Sequence, residues 1–234
     1  ALGACIEAGE LRTALLLFRE TSAQEASPVH GGSLHMLLLA CRDCGELREG
    51  FLLLVEATLD GKVCRARGPA GVRALLRGCG EQAEPELAWQ IYEWATAEGL
   101  MPAAEERANA LDLTLAAVLP PPAEGSEGGE RGERGEGGGW GGDGGDGGGS
   151  GRGASEPRPA PSEASLERAC AAYSEALAEA LPIDAHASGC AVLLGLARAG
   201  HVEQAVALLN LAEERGVRLA PSVQARAYCV YTLY

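Results

Sequence analysis

The chain has 234 residues and a formal net charge of −14, with 47% hydrophobic residues but only 4% aromatic ones. That length allows one or two domains, and the acid excess argues against undirected nucleic-acid binding, which leaves a basic footprint. Ala and Leu dominate the apolar set, which favours helix over sheet, and no apolar run reaches the ~18 residues of a membrane span.

In chain order, a first pattern runs Ala4-Cys5, Ala8-Gly9, Leu11, Ala14 and Leu17-Phe18. It returns as Ala40-Cys41, Cys44-Gly45, Leu47, Gly50 and Leu53-Leu54, then as Gly78-Cys79, Gln82-Ala83, Ala88 and Ile91-Tyr92. A further copy is Gly195-Leu196, Ala199-Gly200, Val202, Ala205 and Leu208-Leu209. The steps from Gly9 to Gly45 and from Gly45 to Ala83 are 36 and 38 residues, within the period of stacked helical units. Each unit predicts two short antiparallel helices. In 69–103 these are Val72–Gly80 and Glu86–Ala97, joined by Gln82-Ala83-Glu84-Pro85. Pro85 suits a helix's first turn because its missing N–H is not needed there. Gly99 fits a left-handed cap, and Pro102 stops the helix. Leu87, Ala88, Ile91 and Tyr92 make one apolar stripe, the face a neighbouring unit covers. Ala14, Gly50, Ala88 and Ala205 share one small-residue position, as close helix approach requires.

Arg107–Val118 predicts the first helix of another unit, and Ser165–Ala180, with Leu166, Ala169 and Tyr173 in step, predicts its second, ending at Pro182-Ile183-Asp184. Between them, 121–163 holds 17 of the 33 glycines. Its nine acids and four arginines give it a net −5, leaving −9 of the chain's −14 on the remainder. So few aliphatic side chains cannot offset the entropy of ordering, and disorder is predicted. Loop-closure cost grows only logarithmically, so one unit can carry such an insertion. The expected organisation is helical repeats over 1–120, a disordered Gly-rich acidic insertion over 121–163, and repeats continuing the same stack over 164–234. That is an all-α solenoid of stacked antiparallel helix pairs, five units with the start of a sixth. Ala1 and Tyr234 both fall inside helical patterns, as expected for a piece of a longer protein.

No catalytic constellation accompanies the repeats. Cys41 and Cys44 have the C-x2-C spacing of zinc sites, but no second pair follows. Cys5, Cys41 and Cys79 occupy one position of the unit, where cysteine serves as a small buried hydrophobe. The run from Gly137 to Gly147 contains G-x-G-x-x-G only because it is mostly glycine, with no strand before it. Acids interleave Arg131-Gly132, Arg134-Gly135 and Arg152-Gly153, which suits a spacer better than a phosphate-binding tail. His30, His35, His186 and His201 lie outside any H-E-x-x-H arrangement. The chain is therefore expected not to be an enzyme and to hold no metal or cofactor.

Leu76-Arg-Gly-Cys-Gly-Glu-Gln-Ala-Glu-Pro-Glu-Leu-Ala-Trp-Gln-Ile-Tyr-Glu-Trp, followed by Gly99-Leu100-Met101-Pro102, resembles a pentatricopeptide repeat (PPR). So do the segments Gly3–Phe18 and Leu193–Leu209. The tryptophan and tyrosine signature of the tetratricopeptide repeat is absent from the first helix. The resemblance implies that the first helices line an inner face, each unit addressing about one base of single-stranded RNA through its fifth and last residues. Carried over by phase, these are His35 and Arg65, Arg73 and Ala103, Ala108 and Asp184, then Cys190 and Ala220. PPR units usually pair Thr, Ser or Asn with Asn or Asp, and only Asp184 is typical. Where many members place a phosphate-binding lysine, this chain has Glu7, Asp43, Glu81 and Arg198. Arg42, Arg77 and Arg198 are the expected phosphate contacts. The implied partner is single-stranded RNA, with a role in organellar RNA processing, stability or translation in mitochondrion or chloroplast. The alternative is a protein-interaction scaffold that keeps the repeat without the code. The resemblance extends to the repeat arms of larger enzymes such as protein-only ribonuclease P, whose acid-rich metallonuclease domain has no counterpart in this sequence.

Overall fold

The computed structural model describes residues 1–23, 31–59, 68–119 and 161–217, and the regular structure in them is entirely helical. The helices are α1 (Leu2–Glu7), α2 (Leu11–Ala23), α3 (Gly31–Asp43), α4 (Leu47–Leu59) and α5 (Gly68–Gln82), followed by α6 (Pro85–Ala97), α7 (Ala104–Val118), α8 (Glu163–Ala178), α9 (Cys190–Arg198) and α10 (Val202–Glu214). A π-helical turn, Ala185–Gly189, leads into α9. Residues 121–160 of the expected insertion, the start of a sixth unit, Arg65 and Ala220 lie outside the described residues.

Local chemistry explains where helix ends depart from expectation. α5 begins at Gly68 because Pro69 is tolerated within a first turn. α7 begins at Ala104, three residues early, with Glu105 and Glu106 favourably placed at the positive end of the helix dipole. The Glu106 carboxylate accepts from the Ala103 N–H at 3.3 Å. α8 starts inside the segment assigned to the insertion, because Ser162 caps it by accepting from the Ser165 N–H at 3.2 Å.

The turns explain the repeat. The N–H of Gly9, Gly45 and Gly200 returns to the carbonyl of Ile6, Arg42 and Ala197, and the next N–H returns to Cys5, Cys41 and Leu196. This double closure is a Schellman motif and needs a left-handed residue. Ala83 occupies that position in the third copy with φ +57°, a conformation costing an L-residue ~1–2 kcal/mol. Ala83→Gly is therefore expected to stabilise the fold by ~0.5–1 kcal/mol, read as a higher urea midpoint at unchanged slope. A lower midpoint contradicts it.

Packing follows the repeat hierarchically. α1 packs on α3, α3 on α5, α5 on α7, and α7 on α9, while α2, α4, α6 and α8 each pack on the preceding helix and on the odd-numbered helix that follows, and α10 packs on α9 and α8. One buried cluster joins Leu37, Leu54, Leu75, Cys79 and Ile91. A second joins Trp89, Leu111 and Leu115 to Leu166, Tyr173, Leu193 and Leu208. The chain before residue 120 and the chain after 160 thus share one core. Ala14, Ala88 and Ala205 are buried, as is Gly50, where an added Cβ would stand 2.9 Å from Leu75 Cδ2. Surface ion pairs link even helices: Arg19 with Glu49 at 2.9 Å and Glu56 at 3.2 Å, and Arg168 with Glu86 at 3.3 Å and Glu93 at 3.4 Å. Such exposed pairs contribute ~0–1 kcal/mol each, so the apolar clusters dominate.

Cys41 and Cys79 are fully buried, and burial pushes both thiols up to about 12. They pack as hydrophobes, whereas Cys44 is exposed. Among the described residues no group of three His, Cys, Asp or Glu side chains is placed to hold a metal ion, and no helix is long and apolar enough to cross a membrane.

Candidate nucleic-acid interface

α5 commits Val72, Leu75, Leu76 and Cys79 to the core, which leaves Arg73 and Arg77, one turn apart, on its other face. α7 likewise buries Ala108, Leu111 and Leu115, and turns Asn109, Asp112 and Leu113 the same way. Because α5, α7 and α9 adjoin, these faces form one surface. A groove of about 570 Å³ runs across it, lined by Arg73 and Arg77, by Asn109 and Asp112, and by Asp184, Ser188 and Cys190.

The groove is electrostatically two-sided. Among the described residues Arg73 and Arg77 make no ion pair or side-chain hydrogen bond, so their donors face the groove uncommitted. The opposite wall is acidic and built on hydrogen bonds. The Asp184 N–H donates to Asp112 Oδ2 at 2.9 Å, and the Ser188 hydroxyl donates to Asp112 Oδ1 at 2.6 Å. The Ala187 N–H donates to Asp184 Oδ1 at 3.0 Å. Burial raises the Asp112 carboxyl above its usual range, with the Ser188 and Asp184 hydrogen bonds opposing and the Asp184 charge adding to the rise. Behind this wall Tyr173 is fully buried, and its hydroxyl has no partner among the described residues. Burial, with Cys190, Asp112 and Asp184 nearby, pushes its hydroxyl pKa upward.

Four of the residues expected from the sequence meet here: Arg73, Arg77, Asp184 and Cys190. Ala108 does not. It is 1% exposed, and matching the buried set Val72, Leu75 and Cys79 to Ala108, Leu111 and Leu115 puts Asn109 at the position of Arg73. The burial pattern there repeats at 36 residues, as from Gly9 to Gly45, where the expected phase uses 35. His35 is half-buried on α3, away from the groove lining, and its Nδ1 has no partner among the described residues. Arg42 is paired with Asp43 at 2.6 Å, and its carbonyl accepts from Gln82 Nε2 at 3.2 Å. Ala103 is exposed in the link to α7, and Arg198 is exposed at the end of α9. Asn109, Asp112 and Ser188 were not anticipated; the burial periodicity of α7 signals the first two.

A second groove, of about 660 Å³, lies beside α2 and the α3–α4 turn, but its Arg19 is already paired with Glu49, which leaves Arg12 as its one cation without an ion pair among the described residues. The α5–α7–α9 groove differs in offering two uncommitted cations opposite hydrogen-bonding acids. That combination fits a ligand carrying both anions and N–H donors. No protein-family model matches the chain, and comparison with curated protein sequences gives no significant match.

Proposed function

We propose that this chain is a single-stranded RNA-binding helical-repeat protein of the PPR type, its helix pairs stacking as one α-solenoid, acting on organellar transcripts. The reading rests on the α5–α7–α9 groove, where Arg73 and Arg77 are free for phosphate and Asn109 and Asp184 line the facing wall. A phosphate backbone supplies the anions, and unpaired bases supply donor and acceptor edges. With the phase moved by one residue, the split unit carries Asn and Asp at its fifth and last positions, a pairing the resemblance expects. Fluorescence anisotropy with the intact chain tests the reading. Single-stranded RNA binds, and a duplex of the same length binds at least ~tenfold more weakly, because its base edges are paired. Equal affinity for both, or for neither, contradicts it.

One solenoid, as opposed to two domains on a linker, has its own test. A specific protease site placed within 121–160 and cut leaves two pieces that stay together on gel filtration without denaturant, because the core that holds Trp89 and Leu111 also holds Tyr173 and Leu193. Separation of the pieces contradicts it. The scaffold reading draws on the net charge of −14 and on an Arg42 tied to Asp43; it predicts no RNA affinity for the intact chain.

A further inference from the structure

The split unit breaks the repeat at one core position. Matched through Arg73, the residue three places on is Leu38 in α3, Leu76 in α5 and Leu193 in α9, each at most 1% exposed. In α7 the same position is Asp112. A leucine replaced by a half-buried carboxylate loses apolar burial and gains a desolvation cost, so the exchange is unfavourable unless the charge is put to use. Here it is used: both Asp112 oxygens accept, one from the Asp184 N–H and one from the Ser188 hydroxyl. Asp184 follows Leu181, Pro182 and Ile183, which form no regular helix. Asp184 lines the groove; its Oδ1 accepts from the Ala187 N–H at 3.0 Å while its own backbone hangs from Asp112.

We propose that Asp112 is a positioning residue for base selection, fixing the Asp184 carboxylate in the groove wall through the Asp184 N–H and the Ser188 hydroxyl. This rests on the RNA reading above. Asp112 need not touch RNA; it decides where an acceptor meets a base edge. It therefore acts on the ratio of affinities between bases more than on affinity as a whole. Arg73 and Arg77, on the other wall, set the part of the affinity common to all bases.

The test compares wild type with Asp112→Leu, which restores the residue of the other units and keeps the core filled, and with Asp112→Asn, which retains one acceptor oxygen. Two readouts are taken on the intact chain. In hydrogen exchange without RNA, the Asp184 amide exchanges at least ~tenfold faster in Asp112→Leu than in wild type, with intermediate loss in Asp112→Asn. In binding to RNA homopolymers of each of the four bases, the ratio of strongest to weakest affinity falls about tenfold in Asp112→Leu, the worth of one charge-assisted hydrogen bond, and less in Asp112→Asn. Unchanged exchange overturns the positioning role whatever RNA does. Faster exchange with an unchanged ratio, or with an equal loss for all four homopolymers, overturns the role in selection and leaves the RNA reading standing. Wild type that binds all four alike overturns the selection role as well. Wild type that binds none overturns the RNA reading, and this inference with it, while the exchange result still reports whether Asp112 holds Asp184.

Discussion

Replacing Arg73 and Arg77 together by glutamate lowers affinity for single-stranded RNA at least ~100-fold, since two charge-assisted contacts of ~1.5–3 kcal/mol each are lost. Stability changes by no more than ~0.5 kcal/mol, because neither side chain has an ion pair to lose among the described residues. Arg19→Glu is the matched control. It breaks the pairs with Glu49 and Glu56 on the even-helix side, so it costs up to ~2 kcal/mol of stability and leaves RNA affinity unchanged. Affinity measured beside a urea melt separates the two effects. A double variant that binds like wild type, or an Arg19 variant that loses as much, removes the groove from the account.

Gly78→Val destabilises the fold by about 2 kcal/mol, within the range for forcing extra atoms into a packed interface. α5 passes so close to the preceding pair that a Cβ at Gly78 meets Leu47 Cδ2 and lies 2.8 Å from Arg42 Cγ. Leu47 is 2% exposed and cannot swing into solvent. Arg42 is held by Asp43, and its backbone is held by Gln82. Helix propensity works in the opposite direction, since glycine in a helix interior costs ~1 kcal/mol relative to alanine. Close packing outweighs it at this site. Chemical denaturation decides: a Gly78→Val protein as stable as wild type means that α3 and α5 are not in this contact.

How much was readable before the fold was known depends on which residues carry the signal. The turn series Gly9, Gly45, Ala83 and Gly200 is local, a left-handed residue closing a helix, and it located the helix pairs. Arg73 and Arg77 were legible because a four-residue spacing places both on one helix face. The phase of the split unit was harder. The Gly-rich segment stands between its two helices in the sequence and holds 17 glycines, so no single glycine marks the phase as Gly9, Gly45 and Gly200 do elsewhere. Phase carried forward from the preceding unit landed on Ala108, and only burial moves it to Asn109. Asp112 was further out of reach. Read alone it is one acid among 33; its partners lie 72 and 76 residues away, beyond the insertion. Contacts of that range follow from tertiary packing, which periodicity does not encode.

The salt dependence of RNA binding tests the central claim most directly, because it counts phosphates neutralised. Affinity of the intact chain for single-stranded RNA is measured across a salt series, beside a chain with Arg73→Gln and Arg77→Gln. The account predicts a linear fall of log affinity with log salt in the wild type, and a slope shallower by about 1.4 in the variant, at ~0.7 per phosphate contact on a single strand. A wild-type affinity that does not respond to salt, or two slopes that coincide, contradicts it.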